Sequence, residues 1–477
     1  MRSSKAAVYD NGITEGVIWQ QLLKFFFPIV LGTFFQQMYN TVDAVVVGNF
    51  VGKEALAAVG GTTAVLINLL VGFFVGLSSG ATVVISQQYG AKDTDGVSRS
   101  VHTAIAMALL GGVFLLVAGY LFTPLGLRIM NTPDDVLADA RTYMRIYFVG
   151  VIFLLIYNIG SGILRAIGDS KRPLYVLIVC CLCNVALDLL FVCVFHMGVA
   201  GAAIATIATE GVSSVIILIM LARSNDCYRL NLKKIRIDRS LLGDILRIGF
   251  PAGLQSMMYS ISNVFIQANV NSFGTNVAAG WTAYGKIDSF FWMVMDAFGI
   301  SITTFSGQNI GARKLDRVHK GVRSCAAMAF GFSFAFSGLL YLMGDKIVSL
   351  FTNEGDVVAA AMEMMRCAYP YFFTYVLICV LSGAMRGAGD SLVPMLMIAG
   401  GICLFRIVWI EVAHWMGAYV TTMIYSYPTS WAFTSVLFVI YYKRGKWLEH
   451  ARALQCCTAG REQSALSFFY FHFPGKS

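Results

Sequence analysis

Two stretches decide how this chain is built: Ser161-Gly162-Ile163-Leu164-Arg165-Ala166-Ile167-Gly168-Asp169-Ser170-Lys171-Arg172-Pro173 and Ser382-Gly383-Ala384-Met385-Arg386-Gly387-Ala388-Gly389-Asp390-Ser391-Leu392-Val393-Pro394. They agree at seven of thirteen positions with an offset of 221. At the same offset Gln87-x-x-Gly90-Ala91-Lys92 returns as Gln308-x-x-Gly311-Ala312-Arg313. Pro28 has a counterpart in Pro251. Chance does not hold one offset over a span of this length, so the chain reads as two copies of one unit.

Composition says where the units reside. Of 477 residues, 57% are apolar and 13% charged, against about 25% charged in a soluble domain. That excludes a soluble enzyme, a disordered chain and a secreted disulfide scaffold. A membrane helix needs about 20 largely apolar residues. Twelve candidates lie near 22–49, 56–84, 100–123, 140–163, 173–196, 200–222, 245–272, 278–305, 321–344, 359–384, 394–415 and 417–442. They are too long, and alternate too little, for a barrel. Each unit therefore holds six helices. Six is even, so both copies insert the same way round, related by a pseudo-two-fold axis along the membrane normal with a site in the cleft between them. The expected division is an N-lobe over 1–222, a basic linker over 223–244, a C-lobe over 245–442 and a tail over 443–477. No secretory signal peptide is evident.

The loops orient the chain. Those between helices 2–3, 4–5, 6–7, 8–9 and 10–11 hold 18 Lys and Arg, and the opposite loops hold six. The positive-inside rule places both termini in the cytoplasm. The net charge of +9 is then a topology signal, not a nucleic-acid footprint. Most of the 11 cysteines lie inside apolar runs, where free Cys packs as a small hydrophobe. Cys180-Cys181-x-Cys183 lacks metal-site loop spacing. The Ser-Gly…Arg…Gly-Asp-Ser…Pro segments read as turn-shaping marks at helix ends, with Arg165 and Asp169 held by local pairing.

Acids inside the bilayer each need a reason. Gln36, Asn40 and Asp43 share a face of helix 1. Asn184 and Asp188 share a face of helix 5, and Thr206 lies in helix 6. At 1.5 Å per residue, Asp43, Asp188 and Thr206 fall roughly 9–12 Å below the outer surface, so they can converge. Carboxylate, amide and hydroxyl oxygens suit a hard cation such as Na⁺, or a proton. Elsewhere, Lys286, Asp288, Asp296, Arg406 and Glu411 read as structural: Lys286 and Asp288 as a pair, and Arg406 and Glu411, five apart and so not stacked on one face, as groups that bridge helices. Met257, Met258, Met293 and Met295 read as packing. No G-x-x-x-x-G-K-[ST] appears, so the chain carries no ATPase of its own, and no enzyme motif or cofactor is indicated.

Helix 1, with Pro28…Gln36-Gln37-Met38-Tyr39-Asn40-Thr41-Val42-Asp43…Gly48, resembles that of the multidrug and toxic compound extrusion (MATE) family. So do Gly52-x-x-Ala55-Leu56-Ala57-Ala58-Val59-Gly60, Gln87-x-x-Gly90-Ala91, Asn184-x-x-x-Asp188 and Gly198-x-x-Gly201-Ala202-Ala203-x-Ala205-Thr206. The resemblance covers roughly 15–442 and implies two six-helix bundles around a cleft. It implies efflux of amphipathic organic cations in exchange for H⁺ or Na⁺ at the plasma membrane, by a monomer in contact with lipid and without nucleic acid. It also implies that Asp43, Asn184, Asp188 and Thr206 hold the coupling cation (the metal ligands if that cation is Na⁺), and that Gln36 and Asn158 line the N-lobe cavity. Asn40 is expected beside them. Helices 7 and 10 offer Tyr259, Ser260, Asn263, Thr374 and Tyr375 where the NorM branch carries acids, which favours the DinF-like branch. The alternative is a lipid-linked oligosaccharide flippase of a related fold, which needs several cationic side chains in its cavity. Pro28 removes one backbone donor from helix 1 and is expected to let it bend.

Overall fold

A computed structural model describes residues 13–130, 132–350, 354–416 and 419–449. The tail motifs Cys456-Cys457 and Phe468-Phe469-Tyr470-Phe471 lie outside the described residues. All regular structure among the described residues is helical. Twelve spans follow in order: α1 (Ile18–Phe50), α2 (Lys53–Gly90), α3 (Thr94–Ile129), α4 (Asp134–Ala166), α5 (Lys171–Val194), α6 (Gly198–Ala222), α7 (Arg239–Asn271), α8 (Thr275–Gly311), α9 (Leu315–Val348), α10 (Gly355–Tyr371 with Phe373–Gly387), α11 (Leu392–Trp415) and α12 (Val420–Arg444). Ten of these are long and apolar enough to cross a membrane, and α10 is an eleventh if its two halves count as one span. The remaining helix, α7, has 33 residues. Its middle carries Gln255, Ser256, Tyr259, Ser260, Ser262 and Asn263, which lowers its hydropathy. The break in α10, bent by 55°, falls just after Pro370, which cannot donate to the helical ladder. The single apolar run over 359–384 reads in sequence as one continuous helix, and the structure divides it.

The repeat is written into the backbone. Gly168 and Gly389 both adopt a left-handed conformation (φ 94° and 92°), and so do Lys92 and Arg313 (φ 59° and 60°). Glycine carries no Cβ penalty there, which explains the Gly-Asp-Ser motif at both sites. The following aspartates cap the next helix. Asp169 accepts from the backbone N–H groups of Lys171 and Arg172 and pairs with the Arg172 side chain at 3.0 Å. Asp390 accepts from the Val393 N–H and the Tyr441 hydroxyl. The expected Arg165–Asp169 pairing is therefore corrected: Arg172, three residues on, takes the carboxylate. The π-helical segments Leu189–Val194 and Ala399–Leu404 lie in α5 and α11, one in each lobe.

The lobes meet at the face that carries the N-terminal segment and the linker, here called the linker face. Gly76 and Gly80 of α2 lie against Gly253 and Gly249 of α7; a Cβ on Gly80 would stand 2.2 Å from the Ile245 carbonyl oxygen. Gly90 and Gly311 cross reciprocally. A Cβ on Gly90 would stand 2.0 Å from Gln308 O, and one on Gly311 1.9 Å from Gln87 O. The two glutamines complete the symmetry. Gln87 donates to Gly387 O at 2.8 Å and Gln308 donates to Ala166 O at 2.7 Å, so each lobe's second helix ties to the other lobe's fourth. The first helix of each lobe also reaches across. Leu22, Phe25, Phe26 and Ile29 of α1 join the C-lobe core, with Phe26 stacked on Phe298 at 4.2 Å. Leu241, Ile245 and Ile248 of α7 join the N-lobe core. Arg317 donates to the carbonyls of Ile13, Glu15 and Gly16, which pins the start of α1 to α9.

At the far face the lobes do not share a core. Val46, Val47, Tyr143, Val192 and Val199 cluster within the N-lobe, and Ile266, Val270, Ile410, Ala413 and Met423 within the C-lobe. The molecule is thus closed at the linker face and divided at the far face. Leu110, Phe114, Leu121, Phe122 and Leu125 of α3 are exposed, as lipid-facing side chains are.

Candidate functional site

The far half of the N-lobe buries polar groups that a folded interior ordinarily pairs. Asp43 comes from α1. Asp188 is the last residue of α5 before its π-helical segment, a local rewinding common at functional sites. The two carboxyls lie close enough to act on one another electrostatically. Asp43 is 7% exposed, and Asp188 and Asn184 are fully enclosed. No donor reaches Oδ1 of Asp43 or either carboxylate oxygen of Asp188, and neither side-chain atom of Asn184 has a partner. Two ionised carboxylates at this range repel each other strongly in a low-dielectric site, so the pair calls for a shared proton or an intervening cation. The oxygen-only chemistry fits Na⁺ as well as H⁺.

One helical turn toward the linker face lies a small void. Its walls include Gln36, Tyr39, Tyr157, Asn184, Thr206 and Glu210. Thr206 sends its hydroxyl to Ala202 O, leaving its oxygen lone pairs toward the wall. The structure therefore brings Asp43 to Asp188, and brings Gln36, Asn184 and Thr206 to the adjoining void; Asn184 bridges the two levels. Asn158 is half-buried, donates to Leu154 O in its own helix and is not among the void's walls. Asn40 stays exposed. It shares the helical face of Gln36 and Asp43 but is not among the walls of the void. Glu210 was missed by sequence reading. It lies four residues after Thr206, a one-turn spacing on the same face, and that spacing was the available signal.

The C-lobe charges also differ from expectation. Lys286 and Asp288 do not pair: Lys286 is exposed, and Asp288 accepts from Trp292 Nε1 at 2.5 Å. Arg406 and Glu411 do not pair either. Glu411 is exposed, while Arg406 is buried, donates to Ser430 Oγ and lies 4.0 Å from the Tyr427 ring centroid and 5.5 Å from that of Trp431. Asp296 is exposed on α8. Met295 is buried in the C-lobe core, where it packs.

Comparison with known proteins bears on this architecture directly. The profile of the MatE family matches twice, over residues 28–190 and 251–410. The chain belongs to the MatE family. Its members are transporters and not enzymes. Among MatE relatives, a probable multidrug resistance protein, YpnP of Bacillus subtilis, is 29% identical, covering 92% of this chain and 97% of its own length. A probable multidrug resistance protein NorM of Thermotoga maritima is 23% identical, covering 91% of this chain and 94% of its own. A transporter of the MOP superfamily from Pyrococcus furiosus, whose binding pocket is described as having reverse polarity, superposes with a TM-score of 0.85 at 21% identity. It covers 93% of this chain and 98% of its own. The fold is thus that of a multi-pass MatE transporter with two six-helix lobes.

Proposed function

We propose that this MatE protein is a secondary antiporter that exports amphipathic organic cations across the plasma membrane in exchange for H⁺ or Na⁺. Curated relatives over nearly the whole length are named as multidrug resistance and multidrug export proteins, which supports multidrug export here. The observation that carries the exchange is the Asp43–Asp188 pair, enclosed and without donors. The basic loops lie on the linker face, and the positive-inside rule assigns that face, with both termini, to the cytoplasm. The described arrangement is then closed inward and divided outward.

The cycle follows from those facts. With the pair ionised, the N-lobe wall is anionic and favours a cationic cargo. A coupling cation arriving from outside neutralises the pair and removes that attraction. The lobes then rock about the linker-face seam, with α1 free to bend at Pro28, whose missing N–H already weakens its ladder. Exporting a monovalent cation costs about 2.3 kcal/mol per 100 mV, and an inward coupling cation offsets it. A flippase for anionic lipid-linked sugars is disfavoured because Arg406 is packed between aromatic rings and is not free to meet a pyrophosphate.

Proteoliposomes loaded with a fluorescent organic cation, under an imposed pH or sodium gradient, test this reading. Wild type moves the dye against its gradient. Asp43→Asn, folded by size-exclusion profile, loses at least about tenfold of that flux. Wild-type flux in the variant rejects the proposal.

A further inference from the structure

The void beneath the acid pair contains a third carboxylate with no assigned role. Glu210 receives only the Ser213 hydroxyl, at 3.3 Å, and forms no ion pair among the described residues. Around it, the Tyr157 hydroxyl, the Thr209 hydroxyl and both side-chain atoms of Asn184 are buried without hydrogen-bond partners. Asn184 is fully enclosed, Thr209 is 4% exposed and Tyr157 6%. The free interior is about 10 Å³, room for one water-sized occupant and no more. Buried polar atoms left open around a space of that size indicate an occupant. A lone carboxylate among phenol, hydroxyl and amide oxygens selects a cation over an anion or an apolar group.

The site is layered. Asp43 to Gln36 is seven residues along α1, Asp188 to Asn184 four along α5, and Thr206 to Glu210 four along α6. Each helix that faces the acid pair therefore contributes a second residue one or two turns nearer the linker face. Facing Glu210 are Gln36 and Tyr39 from α1, Tyr157 from α4, Cys180 and Asn184 from α5, and Ser213 from its own helix; no lysine or arginine is among them.

We propose that Glu210 and this void form a second seat for a monovalent cation, one level below the Asp43–Asp188 pair, so that the N-lobe takes up two coupling cations. The inference rests on the N-lobe exchange reading and deepens it. The occupant is a proton on Glu210 or a sodium ion beside it, two sources of one charge.

Full-length protein in nanodiscs separates the possibilities. ²²Na⁺ binding reports sodium, and a pH-indicator dye reports proton uptake, for wild type, Asp43→Asn, Glu210→Gln and the double variant. The expected result is two cations for wild type, one for each single variant and none for the double, with the dye or the isotope carrying the lost count. If Glu210→Gln binds as many cations as wild type while Asp43→Asn loses its share, the second seat is overturned and the exchange reading stands. If neither single variant loses a cation, both readings fall. If Glu210→Gln does not fold, Glu210→Asp decides: its shorter carboxylate weakens one of two seats by about tenfold. Two undisturbed affinities there overturn the proposal.

Discussion

The far halves of the two lobes descend from one repeat and are built in opposite ways. At the repeat offset of 221, Asn184, Asp188, Thr206 and Glu210 correspond to Phe405, Trp409, Tyr427 and Trp431, and Asp43 aligns with Ile266 when Pro28 is set on Pro251. Acids and open oxygens on one side become aromatic rings and an aliphatic chain on the other. The C-lobe's Arg406 finds the Ser430 hydroxyl and the Tyr427 ring, although its Nη2 is buried without a partner. In the N-lobe, Oδ1 of Asp43 and both carboxylate oxygens of Asp188 have no partner at all. A pseudo-symmetric frame that keeps its glycines and helix caps but loses polar symmetry in one place shows where the frame is not the purpose. On the proposed exchange reading, the N-lobe gives up stability for an exchangeable occupant while the C-lobe serves mainly as a packed counterweight.

The largest test of that contrast is Asp188→Asn. It removes one of two repelling charges, so coupled dye flux falls at least about tenfold while the thermal unfolding midpoint in detergent holds or rises. A fall in midpoint together with flux would make Asp188 a structural group and erase the contrast. Trp431→Ala, at the C-lobe counterpart of Glu210, should do the reverse. Emptying a fully buried indole costs about 3–5 kcal/mol, read as a lowered unfolding midpoint, and the protein that remains folded keeps its ion dependence. A changed cation stoichiometry in that variant would break the comparison. The smallest effect is expected of Arg406→Met, which forfeits a desolvated cation–π contact of about 2 kcal/mol but fills similar volume. Its midpoint drops slightly and its dye flux stays near wild type.

Much of this was legible in the sequence because repeats, apolar length and basic loops act over whole segments. The twelve spans follow from such signals. Individual partners were less legible. Arg165 and Arg172 are equally plausible mates for Asp169 until the backbone turn at Gly168 is known. Lys286 and Asp288 are two apart, and a helix sends them to different faces. Glu210 stands midway along apolar α6, and the sequence does not say which neighbours face it there; the rings of Tyr39 from α1 and Tyr157 from α4 beside it reveal the void it joins. Asn40 shows the converse. Helical spacing places a side chain on a face but does not say how far the neighbouring helix extends to cover it.

The reciprocal glycines at Gly90 and Gly311 have an electrical consequence. With helix ends pressed backbone to backbone at these two crossings, the linker-face seam has no room there for a column of water while the lobes stand divided at the far face. A transporter seated in an energised membrane must never short-circuit it, and here that insulation depends on two absent side chains. A valine at either position would wedge the seam, and the first symptom would be a passive leak of current rather than a loss of export.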